Sequence, residues 1–161
     1  MQTLTRLVAI AIGSNLGNRE AAIAFASTHL EVLLANLHIS ETIETWPVGE
    51  GTDDQNLYLN AVAVGETDLP PRQLLEALLD IERAFGRERP APNAARTLDL
   101  DLILQGDAIV VEPGLEVPHP RFRERFFVLG PLAEIAPDMV DPVSGLRVAD
   151  LLRQLLQDES R

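Results

Sequence analysis

Asp99 and Asp101 stand two residues apart in "ARTLDLDLIL" (95–104), with leucines at 98, 100, 102 and 104. Side chains at i and i+2 of a strand point the same way, about 6.5–7 Å apart. Two carboxylates so placed converge on one hard cation or bridge two. Magnesium takes one or two carboxylates and completes its shell with water and substrate phosphate. Arg96 lies just upstream, and Arg83, Arg87 and Arg89 fall in the preceding window. Their planar forks suit phosphate oxygens. The plainer alternative is a half-buried strand whose second face, Asp99, Asp101 and Ile103, meets water, with the arginines engaged in surface ion pairs. The decapeptide alone leaves both open.

His119 is the second candidate. It sits in "VPHPRFRER", braced by Pro118 and Pro120 and followed by Arg121, Arg123 and Arg125. An imidazole fixed beside arginines can donate to a phosphate oxygen, and a P-H-P turn can equally be structural. His29 and His38 lie within helix and strand patterns and read as packing or surface residues. "GSNLGN" (13–18) could offer backbone amides to an anion, but a tight turn with Asn18 as helix N-cap is the expected role. On pattern alone Tyr58 and Phe127 read as core aromatics, and Thr45 and Asn60 as strand-end polar residues. The nucleotide loop G-x-x-x-x-G-K-[ST] needs a lysine, which this chain lacks, and G-x-G-x-x-G is absent too.

These groups must be carried by a fold. At 161 residues and 46% apolar, the chain suits one domain with a packed core. There is no cysteine, which removes thiolate catalysis, disulfides and cysteine-bound metal. The net charge of −12 argues against nucleic-acid backbone binding, and every cation is an arginine. The apolar run in "MQTLTRLVAIAIGSN" is too short to span a membrane and lacks a basic leader, so it reads as a first strand.

Strands are expected over 6–14, 37–45, 57–67 and 98–104. A helix should follow Asn18 to about Ala35. Another should run through "PPRQLLEALLDIERAFG", with Gly86 just past its end. Loops are expected over 46–56 and 87–95. "AIVVE" should pair with the acidic strand across the Gly106 turn, and two helices should close the chain. The order is that of an α+β fold with a ferredoxin-like βαββαβ core, an added β-hairpin and C-terminal helices.

Taken together, "AIGSNLGNR", "TWPVG", "YLNAV", "IERAFGRER", "ARTLDLDLIL" and "VPHPRFRERFFVLGPLAEIAP" closely resemble the 6-hydroxymethyl-7,8-dihydropterin pyrophosphokinases of folate biosynthesis. The match covers nearly the whole chain in family order. The resemblance implies a three-layer α/β/α fold and one pyrophosphokinase domain over 1–161. It implies a cytoplasmic monomer, acting on neither nucleic acid nor membranes, that moves β,γ-pyrophosphate from ATP to the pterin hydroxymethyl oxygen and releases AMP.

It also assigns residues. Asp99 and Asp101 would hold two magnesium ions. Arg87, Arg89, Arg96 and Arg125 match the family's arginines, His119 its ATP-contacting histidine, and Glu82 a residue near the adenine–ribose side. Tyr58 and Phe127 match the aromatics on either side of the pterin. Thr45 and Asn60 match the side chains on its pyrimidine edge, beside Pro47 and the backbone near Val48. Some members carry a tryptophan where this chain has Asn93, in a loop that is shorter here. The loop after Val48 is longer, and Trp46 stands ready to share the shielding. Other readings are a different magnesium-dependent phosphotransferase or nucleotidyltransferase, or a ligand-binding module without turnover.

Overall fold

The computed structural model describes residues 5–15, 17–46, 57–87 and 98–159. Val8, Ile10 and Ile12 alternate with Ala9 and Ala11 along β1 (Arg6–Ser14), so this one strand feeds two hydrophobic cores. β4 (Tyr58–Thr67) pairs with it antiparallel along its full length, and β5 (Asp99–Gln105) pairs antiparallel on its other side. β2 (Ala35–Ile39) and β3 (Ile43–Thr45) both pair with β4, giving the order β2-β4-β1-β5.

α1 (Arg19–Leu33) starts where the sequence marks it: the Asn18 side chain accepts the Ala21 N–H at 3.0 Å. Ala22, Ala26 and Leu30 of α1 and Leu74, Leu78 and Ile81 of α2 (Pro71–Arg87) cover Ile10, Ile12, Leu100 and Leu102. The second core joins Ala9, Val62, Val64 and Ile103 to α3 (Phe126–Ile135) and α4 (Val148–Glu159) through Val128, Leu129, Leu132, Val148 and Leu151. Helices thus serve both cores of a mixed helix-and-sheet fold. Gly65 lets the end of α1 close on β4, because a Cβ there would fall 2.8 Å from that of Leu34.

Four sequence expectations change. The stretch 37–45 is two strands, and β2 already begins at Ala35, so α1 stops at Leu33. Ser40 makes the break: its hydroxyl accepts the Val62 N–H at 2.9 Å while its own N–H donates to Val62 O. Gly86 lies inside α2, not beyond it. The leucine alternation of β5 fails at its end. A register shift opposite Ala9/Ile10 brings Ile103 and Leu104 into the same core, away from Leu100 and Leu102.

Finally, β6 (Val110–Glu112) pairs with β7 (Leu115–Val117) in a separate two-stranded sheet and not with β5. Pro113-Gly114, with Gly114 at φ +77°, provides the turn between them.

Candidate active site

The register of the sheet sets a row of residues side by side. Asp99 lies opposite Gly13, Gly13 opposite Asn60, and Asn60 opposite Ile43; one step along, Asp101 faces Ala11. Alternation then puts Asp99, Asp101, Gly13, Ala11, Asn60 and Tyr58 on one face of the sheet. Gly13 and Ala11 project almost nothing, so the floor between the carboxylates and Asn60 is nearly bare backbone. On this face the second core begins only at Val62 and Ile103, and α3 covers it from Phe126 onward. The end that the described residues leave uncovered is a cavity of about 420 Å³, lined also by Thr45, Trp46, Arg121, Glu124, Arg125 and Phe127. That volume lies within the range of about 300–1,000 Å³ common for small-molecule sites.

One wall is polar and fixed. Asn60 is buried, and its amide donates to Thr45 Oγ1 at 2.8 Å and more weakly to Ile43 O at 3.4 Å. With a lone pair of the Thr45 hydroxyl engaged, its proton and the Asn60 carbonyl provide a donor and an acceptor for a flat polar edge. Thr45 pairs directly with Tyr58 across β3 and β4. Burial first, and then the charge of Asp99, push the Tyr58 hydroxyl above its ordinary value, so it stays neutral. Phe127 stands in the first turn of α3, with the Arg125 guanidinium 5.6 Å from its ring centre.

The acidic wall is β5. Glu82 of α2 accepts the Leu100 N–H at 2.7 Å, between the two aspartates, and so ties the strand edge to the helix. Among the described residues no cluster of three or more His, Cys, Asp or Glu forms a protein-only metal cage. Two carboxylates facing a cavity suit a hard cation that finishes its shell with water and ligand oxygens.

His119 follows β7, with its N–H donating to Ile103 O at 2.9 Å. Its Nδ1 accepts the Arg121 N–H at 3.1 Å, which leaves Nε2 to carry the ring proton. Burial lowers its pKa most; Asp101 opposes this and Arg125 adds to it. The imidazole is therefore neutral at neutral pH, between an acid and a base of the cavity.

The three arginines after His119 divide. In the single 3-10 turn Phe122–Glu124, positions three apart fall on one side. Arg121 and Glu124 accordingly line the cavity, whereas Arg123 turns away to buried Asp141 at 2.6 Å. Arg83 pairs with Asp80 on the exposed side of α2. Among the described residues Arg83 and Arg123 are engaged in ion pairs, and Arg121 and Arg125 form none.

The structure thus brings together Thr45, Tyr58, Asn60, Asp99, Asp101, Arg125 and Phe127 around one cavity. Glu82 and His119 attach to β5 behind its lining. Arg89, Arg96, Pro47, Val48 and Asn93 lie outside the described residues, as does the side chain of Arg87, the last residue of α2. Gly13, Ala11, Arg121 and Glu124 line the cavity without having been assigned a place in it from the sequence, where Gly13 stood only in a turn and Arg121 only in a run of arginines. Their signal was positional: register for the first two, the 3-10 spacing for the others.

Residues 9–137 match the 7,8-dihydro-6-hydroxymethylpterin-pyrophosphokinase (HPPK) family. The chain belongs to that family. A 2-amino-4-hydroxy-6-hydroxymethyldihydropteridine pyrophosphokinase of Methylorubrum extorquens is 38% identical, with 91% of each chain covered. The folic acid synthesis protein fol1 of Pneumocystis carinii is 37% identical over 94% of this chain, which spans only 20% of that protein. The fold is similar to that of wild-type Plasmodium falciparum HPPK-DHPS, with a TM-score of 0.74 at 13% identity, covering 97% of this chain and 46% of that one. In this HPPK chain the acidic strand β5 forms one wall of the cavity. No helix among the described residues is long and apolar enough to cross a membrane.

Proposed function

We propose that this chain transfers pyrophosphate from ATP to the hydroxymethyl group of 6-hydroxymethyl-7,8-dihydropterin, releasing AMP, at the cavity between β5, β3–β4 and the start of α3. The observation that carries this reading is the sharing of one cavity by Asp99 and Asp101 with Tyr58, Phe127, Thr45 and Asn60. An acidic pair alone fits many phosphotransferases. Next to two aromatics and a fixed amide–hydroxyl pair, it fits one that acts on a flat, polar-edged ring.

In this reading Tyr58 and Phe127 take the two faces of the pterin. Thr45 and Asn60 meet its edge, beside Pro47 and Val48. The hydroxymethyl oxygen bonds to the β-phosphorus and gives up its proton to solvent as the α–β bridging P–O bond breaks, and negative charge builds on AMP and on the moving group. Arg125 bears on that charge from the cavity wall, with Arg87, Arg89 and Arg96 from the chain leading into β5. His119 offers Nε2–H to a phosphate oxygen, and Glu82 belongs to the adenine–ribose side while holding β5 in place. Asp99 and Asp101 would hold magnesium, two ions in this reading, which when bound supplies charge neutralisation to the polyphosphate.

The strand order β2-β4-β1-β5, with α1 and α2 sharing one core, supports a ferredoxin-like centre in a three-layer α/β/α arrangement. We take 1–161 as a single pyrophosphokinase domain that works as a monomer in the cytoplasm.

Asp99→Asn and Asp101→Asn test the reading. Each should lower kcat at least ~10³-fold, on the order of 4 kcal/mol. Without magnesium, Asp101→Asn removes one of two neighbouring negative charges and should leave the melting temperature no lower than that of wild type. Near-normal turnover in either variant, or loss of turnover only through unfolding, would return the strand face to a merely solvated one.

A further inference from the structure

The first turn of a helix favours acidic residues, because the peptide dipoles there sum to a positive charge. Arg19 occupies the first position of α1 against that preference. Its guanidinium is spent elsewhere: Nη1 donates to Glu44 Oε2 at 2.9 Å and to Leu57 O at 2.8 Å. Glu44 immediately precedes Thr45, and Leu57 immediately precedes Tyr58. Thr45 and Tyr58 face each other in the β3–β4 register, and Thr45 in turn receives the Asn60 amide. One nitrogen therefore holds the side-chain carboxylate of the residue before Thr45 and the backbone carbonyl of the residue before Tyr58, at the point where β3 ends and β4 begins. The Arg19 side chain is 23% exposed and that of Glu44 51%. An ion pair that open contributes little to stability by itself. The bond to the Leu57 carbonyl adds a fixed direction that a loose surface pair would lack.

We propose that Arg19 is a positioning residue for the pterin end of the site, holding Thr45 and Tyr58 at the spacing and angle that receive the ring; this rests on the pterin reading of the cavity. Arg19 touches neither substrate. It acts by fixing the strand ends that do.

The test compares wild type, Arg19→Ala, Arg19→Lys and Glu44→Gln by steady-state AMP release, with melting temperature measured alongside. Loss of a charged hydrogen-bond donor in Arg19→Ala should raise the KM for the hydroxymethylpterin roughly tenfold. The KM for ATP should stay within about twofold, since Asp99 and Arg125 lie on other elements. A lysine ammonium can serve both acceptors, so Arg19→Lys should recover most of the loss. Glu44→Gln, at an exposed site that does not threaten folding, should shift the pterin KM in the same direction by less. Equal rises in both KM values, no rescue by lysine, or a lower melting temperature with an unchanged pterin KM would each overturn the proposal. A wild-type enzyme that releases no AMP on addition of the pterin would instead overturn the site reading on which it stands.

Discussion

Phe127 illustrates how a residue's role depends on where an element starts. On pattern it is one more core aromatic. In the structure it sits in the first turn of α3, half-buried, at the edge where the core ends and the cavity begins. Stacking on an aromatic contributes about 1–3 kcal/mol per base in nucleic-acid systems. Phe127→Ala should therefore weaken pterin binding at least several-fold in calorimetry and leave ATP binding much less changed. Equal loss of both would mark a folding defect. His119 gives a second expectation. Its folded pKa lies below the ordinary histidine value because of burial, so the unfolded chain binds the extra proton first. The neutral ring contributes stability that is fully present above the ordinary value and is lost as pH falls toward the lowered one. An NMR titration of the magnesium-free protein should show its midpoint below 6.5 and the proton on Nε2. A midpoint at or above 6.5 would contradict the dominance of burial over the Asp101 charge, and a proton on Nδ1 would contradict the bond from Arg121.

At the scale of elements, the period-two pattern of 98–102 was enough to put both aspartates on one face, and Asn18 was enough to start α1. What the sequence hid were breaks in period. The register shift in β5 moves Leu104 to the second core, and a serine hydroxyl standing in for a backbone partner splits 37–45. The turn 122–124 replaces a simple run of three arginines with two fates. Such irregularities arise from long-range pairing that no local pattern encodes.

The Arg123–Asp141 pair joins that turn to the segment leading into α4. Asp141 is fully buried, held by both Nε and Nη2 of Arg123, the Ser144 hydroxyl and the Val143 N–H. Burial pushes its carboxyl up, but these donors outweigh it and hold the pKa below the ordinary value. Its contribution is thus present above about pH 4, the unfolded value, and is lost as pH falls through the folded one. Arg123→Met strands the carboxylate and should cost about 2–4 kcal/mol at pH 7. The urea midpoints of variant and wild type should draw together as pH falls through the lowered folded value, where protonation removes the buried charge. A gap that stays constant with pH would show that the arginine acts through packing alone.

At the scale of the molecule, the described residues of two cores fed by one sheet leave one end of a sheet face uncovered, and the cavity is that end. The family assignment and the acidic strand were legible because their residues are contiguous in the chain. The shape of the site was not, since Gly13, Asn60, Asp99 and Phe127 meet only through register and helix placement. The overall acidity leaves the cavity's arginines as a local exception, suited to a polyphosphate rather than to a long polyanion. The most direct test of the account follows both phosphorus products of the wild-type protein with magnesium and ATP, with and without 6-hydroxymethyl-7,8-dihydropterin. The account predicts AMP and a pterin diphosphate in equal amounts, formed only when the pterin is present. ADP as the product, or AMP release that does not depend on the pterin, would contradict it.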